Sequence, residues 1–303
     1  MTGAGAGPPG MAGAGSRTRS GTGPPVDPAV GAASAASASG VAPGVTAVVL
    51  TLDEAVHLPD CLASLAWADG VVVLDSGSTD ATVAIARAAG ATVAHHPFEN
   101  YSRQRQHALD LVPTPWVLFV DADERVPPAL AAEIRAVVGG AGAGAAGAGQ
   151  DRPAAYWIPR RNDFWGHRLR GGGWWPDHQL RLLRVGRVRY DPDRAVHEVA
   201  EVDGPAGRLA EPMVHLNYAS RRELRAKQVA YARLEAARRL AAGAPVRPHH
   251  FVAQPLRELW RRFVTLGGWR DGPLGLELGL WMAWYELRAL WLVAIARRGR
   301  GPA

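Results

Sequence analysis

Trp116-Val117-Leu118-Phe119-Val120-Asp121-Ala122-Asp123-Glu124 is five apolar residues running straight into three acids. An apolar run of that length, bounded by turn residues, reads as a strand buried on both faces, as in a parallel sheet. Carboxylates clustered where such a strand leaves its sheet need a partner, because burying charge is costly unless it is paired or metal-bound. Hard oxygen ligands of this kind suit Mg2+ or Mn2+, with phosphate oxygens completing the shell. An isolated D-x-D facing water would mean nothing, so the neighbouring segments decide its meaning.

Those segments repeat the pattern. Val45–Leu50 is a first apolar run, ending in Thr51-Leu52-Asp53-Glu54. A helical stretch follows, with Leu58, Leu62 and Leu65 on one face and Pro59 in its first turn. Val71–Leu74 is a second strand, ending in Asp75-Ser76-Gly77-Ser78-Thr79-Asp80. Ser78, Thr79 and Asp80 are candidate N-caps for a helix through Ala89, which Gly90 stops. Ala91–Ala94 is a short third strand, and a helix from Tyr101 to Leu111 carries Arg103 and Arg105. Alternating strands and helices predict a mostly parallel sheet flanked by helices, whose ligand lies beyond the carboxyl ends of the strands. Three polar strand ends on one edge make a candidate site. Neither a P-loop nor a G-x-G-x-x-G turn is present, so phosphate charge falls to metal and arginines, Arg105 among them.

Composition bounds the rest. The 303 residues are 48% hydrophobic, enough for one sizeable domain and an appendage. The single cysteine, Cys61, excludes a disulfide framework and falls on the apolar side of a helix, as a buried inert thiol does. The net charge of +6 would suit nucleic acid or anionic lipid, but Lys227 is the only lysine and no nucleic-acid motif accompanies the charge, so no nucleic-acid partner is expected. Residues 1–44, made of Gly, Ala, Ser and Pro, are expected to be disordered, with no signal-peptide core, which points to the cytoplasm. Residues 45–218 are expected to form the catalytic domain, with a flexible loop at 139–152, and 219–303 a helical region.

Past a helix at Pro127–Val138 and a strand at Tyr156–Pro159 comes a loop, Arg160–Gly173, dense in Arg, Trp and Gly. Trp165, Trp174 and Trp175 either line a groove that stacks on sugars or bases, or form a local cluster over the sheet. Alternation through Leu180, Arg181 and Leu182 is strand-like, with Asp177 opening the strand and Arg184 closing it. His197 stands out among ten histidines. Helices are expected from Ser220 to Ala242, from Pro255 to Leu266 and from Leu274 to Ala296. The last carries Trp281, Trp284, Tyr285 and Trp291 but is interrupted by Glu277, Glu286 and Arg288. That pattern argues for a helix lying in a membrane interface beside Arg297, Arg298 and Arg300, the alternative being a helix packed on the protein.

Together the segments TLDE (51–54), VVVLDSGSTD (71–80) and VLFVDADE (117–124) resemble glycosyltransferase family 2, on the Rossmann-like GT-A fold. WWPDHQLRLLR (174–184), VHE (196–198) and HLNYASRRELRAKQVAYA (215–232) are similar to the branch of lipopolysaccharide-core glucosyltransferases. The resemblance implies an inverting, metal-dependent hexosyl transfer from a nucleotide-diphosphate sugar, such as a UDP-sugar, to a lipid-linked or envelope saccharide. It implies a cytoplasmic enzyme, peripheral on the inner face of the membrane. Thr51, Glu54 and Asp75 are implied to meet the nucleoside, Asp121 and Asp123 the divalent cation and diphosphate, Arg181 and Arg184 diphosphate charge, and His197 the metal or diphosphate. Asp177 is implied to be the general base. Leu52-Asp53 stands where Lys-Asn is more usual, and Gln106 where Asn is common. A nucleotidyltransferase would want a Gly-rich loop after the first strand, and a membrane adaptor would leave the polar strand ends unexplained.

Overall fold

The first strand, β1 (Val45–Thr51), is buried at six of its seven positions, as an all-apolar run flanked by neighbours on both sides should be. The computed structural model describes residues 44–140, 152–192 and 200–298. The expected N-terminal tail, nearly all of the 139–152 loop, and His197 with its Val196 and Glu198 neighbours lie outside the described residues.

In order, the elements after β1 are α1 (Leu58–Ser64), β2 (Gly70–Asp75), α2 (Thr82–Ala88), β3 (Thr92–His95), α3 (Tyr101–Leu111), β4 (Trp116–Asp121), β5 (Glu124–Arg125) and α4 (Pro128–Val138). Then come β6 (Ala155–Phe164), β7 (His167–Arg168), β8 (Asp177–Arg184), β9 (Val188–Tyr190), β10 (Ala200–Val202), β11 (Ala206–Arg208) and β12 (Met213–Tyr218). Helices α5 (Arg221–Ala241), α6 (His250–Trp260) and α7 (Gly272–Arg298) complete the chain. Contacts divide the described residues into a sheet unit, 44–158 with 180–211, and a helical unit, 159–179 with 212–298. Pro159–Gln179 and the strand β12 thus group with the C-terminal helices.

In the sheet unit, β2 and β4 flank β1 in parallel, β3 extends β2, and the Leu182–Arg184 end of β8 runs antiparallel beside β4. Register fixes the functional edge. Thr51 pairs with Asp75, Asp75 with His95, and Leu50 with Asp121, so the three polar strand ends lie at one level. Below them Val48, Val72, Leu74, Val117, Phe119 and Leu183 fill the core with Leu109 of α3.

In the helical unit, β12 pairs in parallel with the second half of β6, matching Met213 to Arg160 and His215 to Asn162. A two-residue turn, Trp165-Gly166, folds β6 back onto β7; its φ angles of 38° and 84° are those of a type I′ hairpin. Trp174 is a core residue, packed with Phe164, Leu169, Tyr218, Leu224, Leu278, Met282 and Tyr285, which decides for the cluster reading at that position. The expected loop 160–173 is shorter than its sequence suggests, because the strand continues through it to Phe164. Helix α6 begins five residues before Pro255 and continues into a π-turn at Arg261–Thr265. Proline removes one donor from this helix without ending it.

The glycines of this unit carry its closest backbone approach. A Cβ on Gly171 would sit 2.1 Å from the Gly267 carbonyl oxygen, and one on Gly275 would sit 1.9 Å from that of Gly268. Gly172 N–H donates to Leu266 O at 2.9 Å, and the Asp271 carboxylate accepts from the N–H groups of Arg170 and Gly171.

Candidate active site

The sheet unit presents two acidic corners. At the first, Asp75 ends β2 nearly buried. Its Oδ2 accepts from the N–H groups of Gly77 and Ser78, both at 2.9 Å, and its Oδ1 from the hydroxyls of Ser78 and Thr51. The carboxylate therefore shapes the loop at the strand end. Ser78 and Asp80, expected to cap α2, tie this loop to the one after β1: Ser78 Oγ accepts from Asp53 N–H and Asp80 Oδ2 from Ala55 N–H, while Asp80 Oδ1 accepts from Thr82 N–H at the start of α2. Asp53 Oδ1 returns the link, accepting from Thr79 and Asp80 N–H. Asp53 has a φ of 55°, a left-handed conformation that Asp and Asn tolerate best after glycine. Glu54 N–H donates to Thr82 Oγ1 at 2.8 Å. Thr51, Glu54 and Asp75 thus come together at one edge, on a double loop braced by reciprocal hydrogen bonds.

At the second corner, Asp121 ends β4. Arg181, 4% exposed, donates to both oxygens of Asp121 and at 3.0 Å to Glu124 Oε1. Glu124 is fully buried, and its Oε2 accepts from Asp121 N–H at 2.9 Å. The expected diphosphate-binding Arg181 is thus engaged with the acidic turn itself: a buried guanidinium holds two carboxylates of like charge together. Cys61 lies under this turn, fully buried, and burial pushes its thiol up, as an inert cysteine requires. Arg105 is also buried, its guanidinium 4.9 Å from the Phe119 ring centre. Arg184 does not reach this edge. It pairs with Trp116, at the other end of β4 and about 17 Å from Asp121 at 3.3 Å per residue.

Among the described residues no three His, Cys, Asp or Glu side chains gather as a metal cage. Asp123, half-buried in the turn after β4, offers hard oxygens, and Asp121 beside it already faces Arg181. That donor set fits a divalent cation that arrives with most of its shell, as Mg2+ does on a diphosphate held by one or two carboxylates.

The helical unit builds a third cluster, around Asp177 at the start of β8. Arg160 donates to Asp177 Oδ2 from Nε at 2.8 Å and from Nη2 at 2.7 Å, Asn162 Nδ2 lies 3.4 Å from the same oxygen, and Gln179 donates to Oδ1 at 2.7 Å. Burial pushes the Asp177 carboxyl up, but the Arg160 charge and these hydrogen bonds outweigh it and hold the group below the usual carboxylate range. Asn162 Nδ2 also donates to Trp174 O, which turns Oδ1 toward His215 Nδ1 at 2.6 Å and Asn217 Nδ2 at 3.1 Å. Oδ1 can only accept, so Nδ1 carries the imidazole proton. Sequence reasoning missed Arg160, Asn162 and His215. The available signal was alternation: polar residues two apart on β6, facing polar residues two apart on β12.

A model of the family described as Glycosyl transferase family 2 matches residues 46–182, a span holding every site residue expected from the sequence except Arg184 and His197. A lipopolysaccharide core biosynthesis glycosyltransferase of Rhizobium meliloti (strain 1021) is 28% identical over 242 residues, covering 76% of this chain and 84% of its own. An uncharacterized glycosyltransferase of Rickettsia bellii (strain RML369-C) is 36% identical over 124 residues, 39% of this chain and 40% of its own. Among solved structures, glucosyl-3-phosphoglycerate synthase from Mycobacterium tuberculosis, in complex with Mn2+, UDP and glucosyl-3-phosphoglycerate, aligns with a TM-score of 0.41 and 18% identity over 67% of this chain and 81% of its own. Residues 46–182 match glycosyltransferase family 2, and the chain is a glycosyltransferase.

Proposed function

We propose that the protein transfers a hexose, with inversion, from a nucleotide-diphosphate sugar to a lipid-linked saccharide of the cell envelope, working from the cytoplasmic side at the membrane surface. The observation that carries the donor half is the common level of Thr51, Asp75 and Asp121 at the carboxyl edge of a parallel sheet within the matched domain. The braced double loop of Asp53–Glu54 and Ser78–Asp80 meets the nucleoside. Asp121 and Asp123 would hold a divalent cation on the diphosphate, where it would supply charge neutralisation at the leaving oxygen. Arg181 acts as a positioning residue, holding Asp121 in place.

Asp177 is the base. Its Oδ1 accepts one hydrogen bond, from Gln179, which leaves an acceptor position on that oxygen among the described residues. The carboxylate takes the proton of the acceptor hydroxyl as that oxygen bonds to the anomeric carbon. The bond from that carbon to the diphosphate breaks, and the nucleoside diphosphate leaves with the electron pair. One base and one displacement suffice, and the configuration inverts. Arg160 keeps Asp177 ionised and fixes Oδ2, so Oδ1 is the basic oxygen. The envelope acceptor draws its support from the Rhizobium relative.

Purified protein incubated with a panel of nucleotide sugars, with Mg2+, with Mn2+ and with chelator, tests the donor half; cation-dependent release of one nucleoside diphosphate is the expected result. Binding of no nucleotide sugar under any of these conditions would overturn it.

A further inference from the structure

The outer face of the α6–α7 hairpin carries apolar side chains that no element of the helical unit covers. On α7, Leu278, Met282, Tyr285, Ala289 and Val293 turn inward. At 100° per residue, Leu276, Leu280, Trp284 and Trp291 lie opposite them, and they are 41–55% exposed. On α6, Val252, Leu256 and Trp260 repeat at every fourth residue and are 60–65% exposed. The other side of α6 faces inward: Phe251, Pro255, Glu258 and Leu259 are half-buried, and in the π-turn that continues the helix Arg262 donates to Gly172 O and lies over Trp174, which belongs to the same cluster as Leu278 and Met282. Both helices therefore turn their inward sides to one core and their apolar stripes away from it. Trp269, on the turn between them, is 58% exposed.

Charge names the partner. Residues 247–298 contain eight arginines and four acids. All four acids are engaged: Glu258 with Arg261 and Arg262, Glu277 with Arg221, Glu286 with Arg239, and Asp271 with backbone N–H groups. Where the start of α6 meets the end of α7, Arg247, Arg297 and Arg298 surround a cleft with Phe251 in its wall. A second copy docking here in two-fold symmetry would set this arginine excess against itself. An anionic bilayer matches it: tryptophans and leucines enter the boundary between headgroups and acyl chains, and arginines meet lipid phosphates. We infer that the α6–α7 hairpin lies flat on an anionic lipid surface through this face, with lipid phosphate in the arginine cleft. Helix α7 is long and apolar enough to cross a bilayer, but crossing would strip its inward side from Phe164, Trp174 and Leu224.

This inference deepens the proposed membrane-side action but is tested apart from it. Full-length protein is sedimented with vesicles of phosphatidylcholine alone or with roughly one third phosphatidylglycerol, and nucleotide-sugar hydrolysis is followed without vesicles. Binding is expected to need phosphatidylglycerol and to weaken as salt is added. The double variant Leu256→Glu, Leu280→Glu should bind at least about tenfold more weakly, and Arg257→Gln with Arg298→Gln about fivefold more weakly per arginine. Hydrolysis by all of these should match the wild type, which also reports that they fold. Absence of vesicle binding, or binding indifferent to both pairs of substitutions, overturns the inference. So does a wild-type dimer that ignores vesicles and becomes a monomer in the leucine variant. Vesicle binding without hydrolysis of any donor would sink the transferase reading and leave this one standing.

Discussion

Arg181→Met tests the acidic corner at its centre. The wild-type guanidinium is almost fully buried and contacts both Asp121 and Glu124. The two carboxylates respond differently to its loss. The Asp121 side chain is 36% exposed and can turn to water, so its share is small, about 1 kcal/mol or less. Glu124 is fully buried, and breaking a buried ion pair by removing one partner costs about 3–5 kcal/mol. For a chain of this size that lowers Tm by roughly 6–15 °C. The double variant Arg181→Met, Glu124→Gln removes the charge with its partner and should recover at least half of that loss. Thermal melts followed by far-UV circular dichroism, with urea unfolding followed by tryptophan fluorescence, give both values. A loss under about 1 kcal/mol for the single variant, or no recovery in the double, would refute the claim that Arg181 neutralises Glu124.

Asp177→Asn should abolish sugar transfer while nucleotide-sugar affinity, read by calorimetry, stays within about threefold of wild type; lost donor affinity would reassign the residue. Because Asp177 sits below the usual carboxylate range in the folded protein, the stability it adds is present above about pH 4 and is lost as pH falls through its lower folded value. Arg160→Met should therefore move the acid limb of kcat/KM upward, and an unmoved limb would count against Asp177 as the base. Asp53→Ala, which loses its loop hydrogen bonds and strains a left-handed position, should cost about 2 kcal/mol in urea unfolding, and Asp53→Asn only a few tenths. Gly275→Ala should destabilise by at least about 1–3 kcal/mol, since its Cβ would overlap the Gly268 carbonyl.

The strands and their polar ends were legible because apolar runs and the residues that close them are local signals. Tyr101–Leu111 matches its helix residue for residue, and Thr51, Asp75 and Asp121 share the edge their runs implied. What escaped the sequence depends on partners distant in the chain. Arg181 and Asp121 are 60 residues apart, and nothing near either shows that the arginine is committed to a carboxylate. His215 and Asn162, 53 apart, each look ordinary alone. Trp165 occupies a turn position that statistics give to Asn or Gly, so its hairpin was hidden in what read as loop. Leu52-Asp53 departs from the usual Lys-Asn, yet Asp53 keeps the conformational tolerance and the acceptor oxygen that the loop requires.

The contact of Gly171 with Gly267 and of Gly275 with Gly268 works as a rivet between the segment that leads into Asp177 and the hairpin that follows β12. With no side chain at the joint there is no cushion, so a shift of the Leu266–Gly268 turn moves the Arg170–Gly172 backbone with it. The Asp271 carboxylate gripping two successive amides makes that linkage rigid in a second direction. The chain entering Asp177 is thereby mounted on the hairpin rather than hung from a free loop. Substitutions at this joint are expected to register as changed use of the acceptor, with nucleotide release undisturbed.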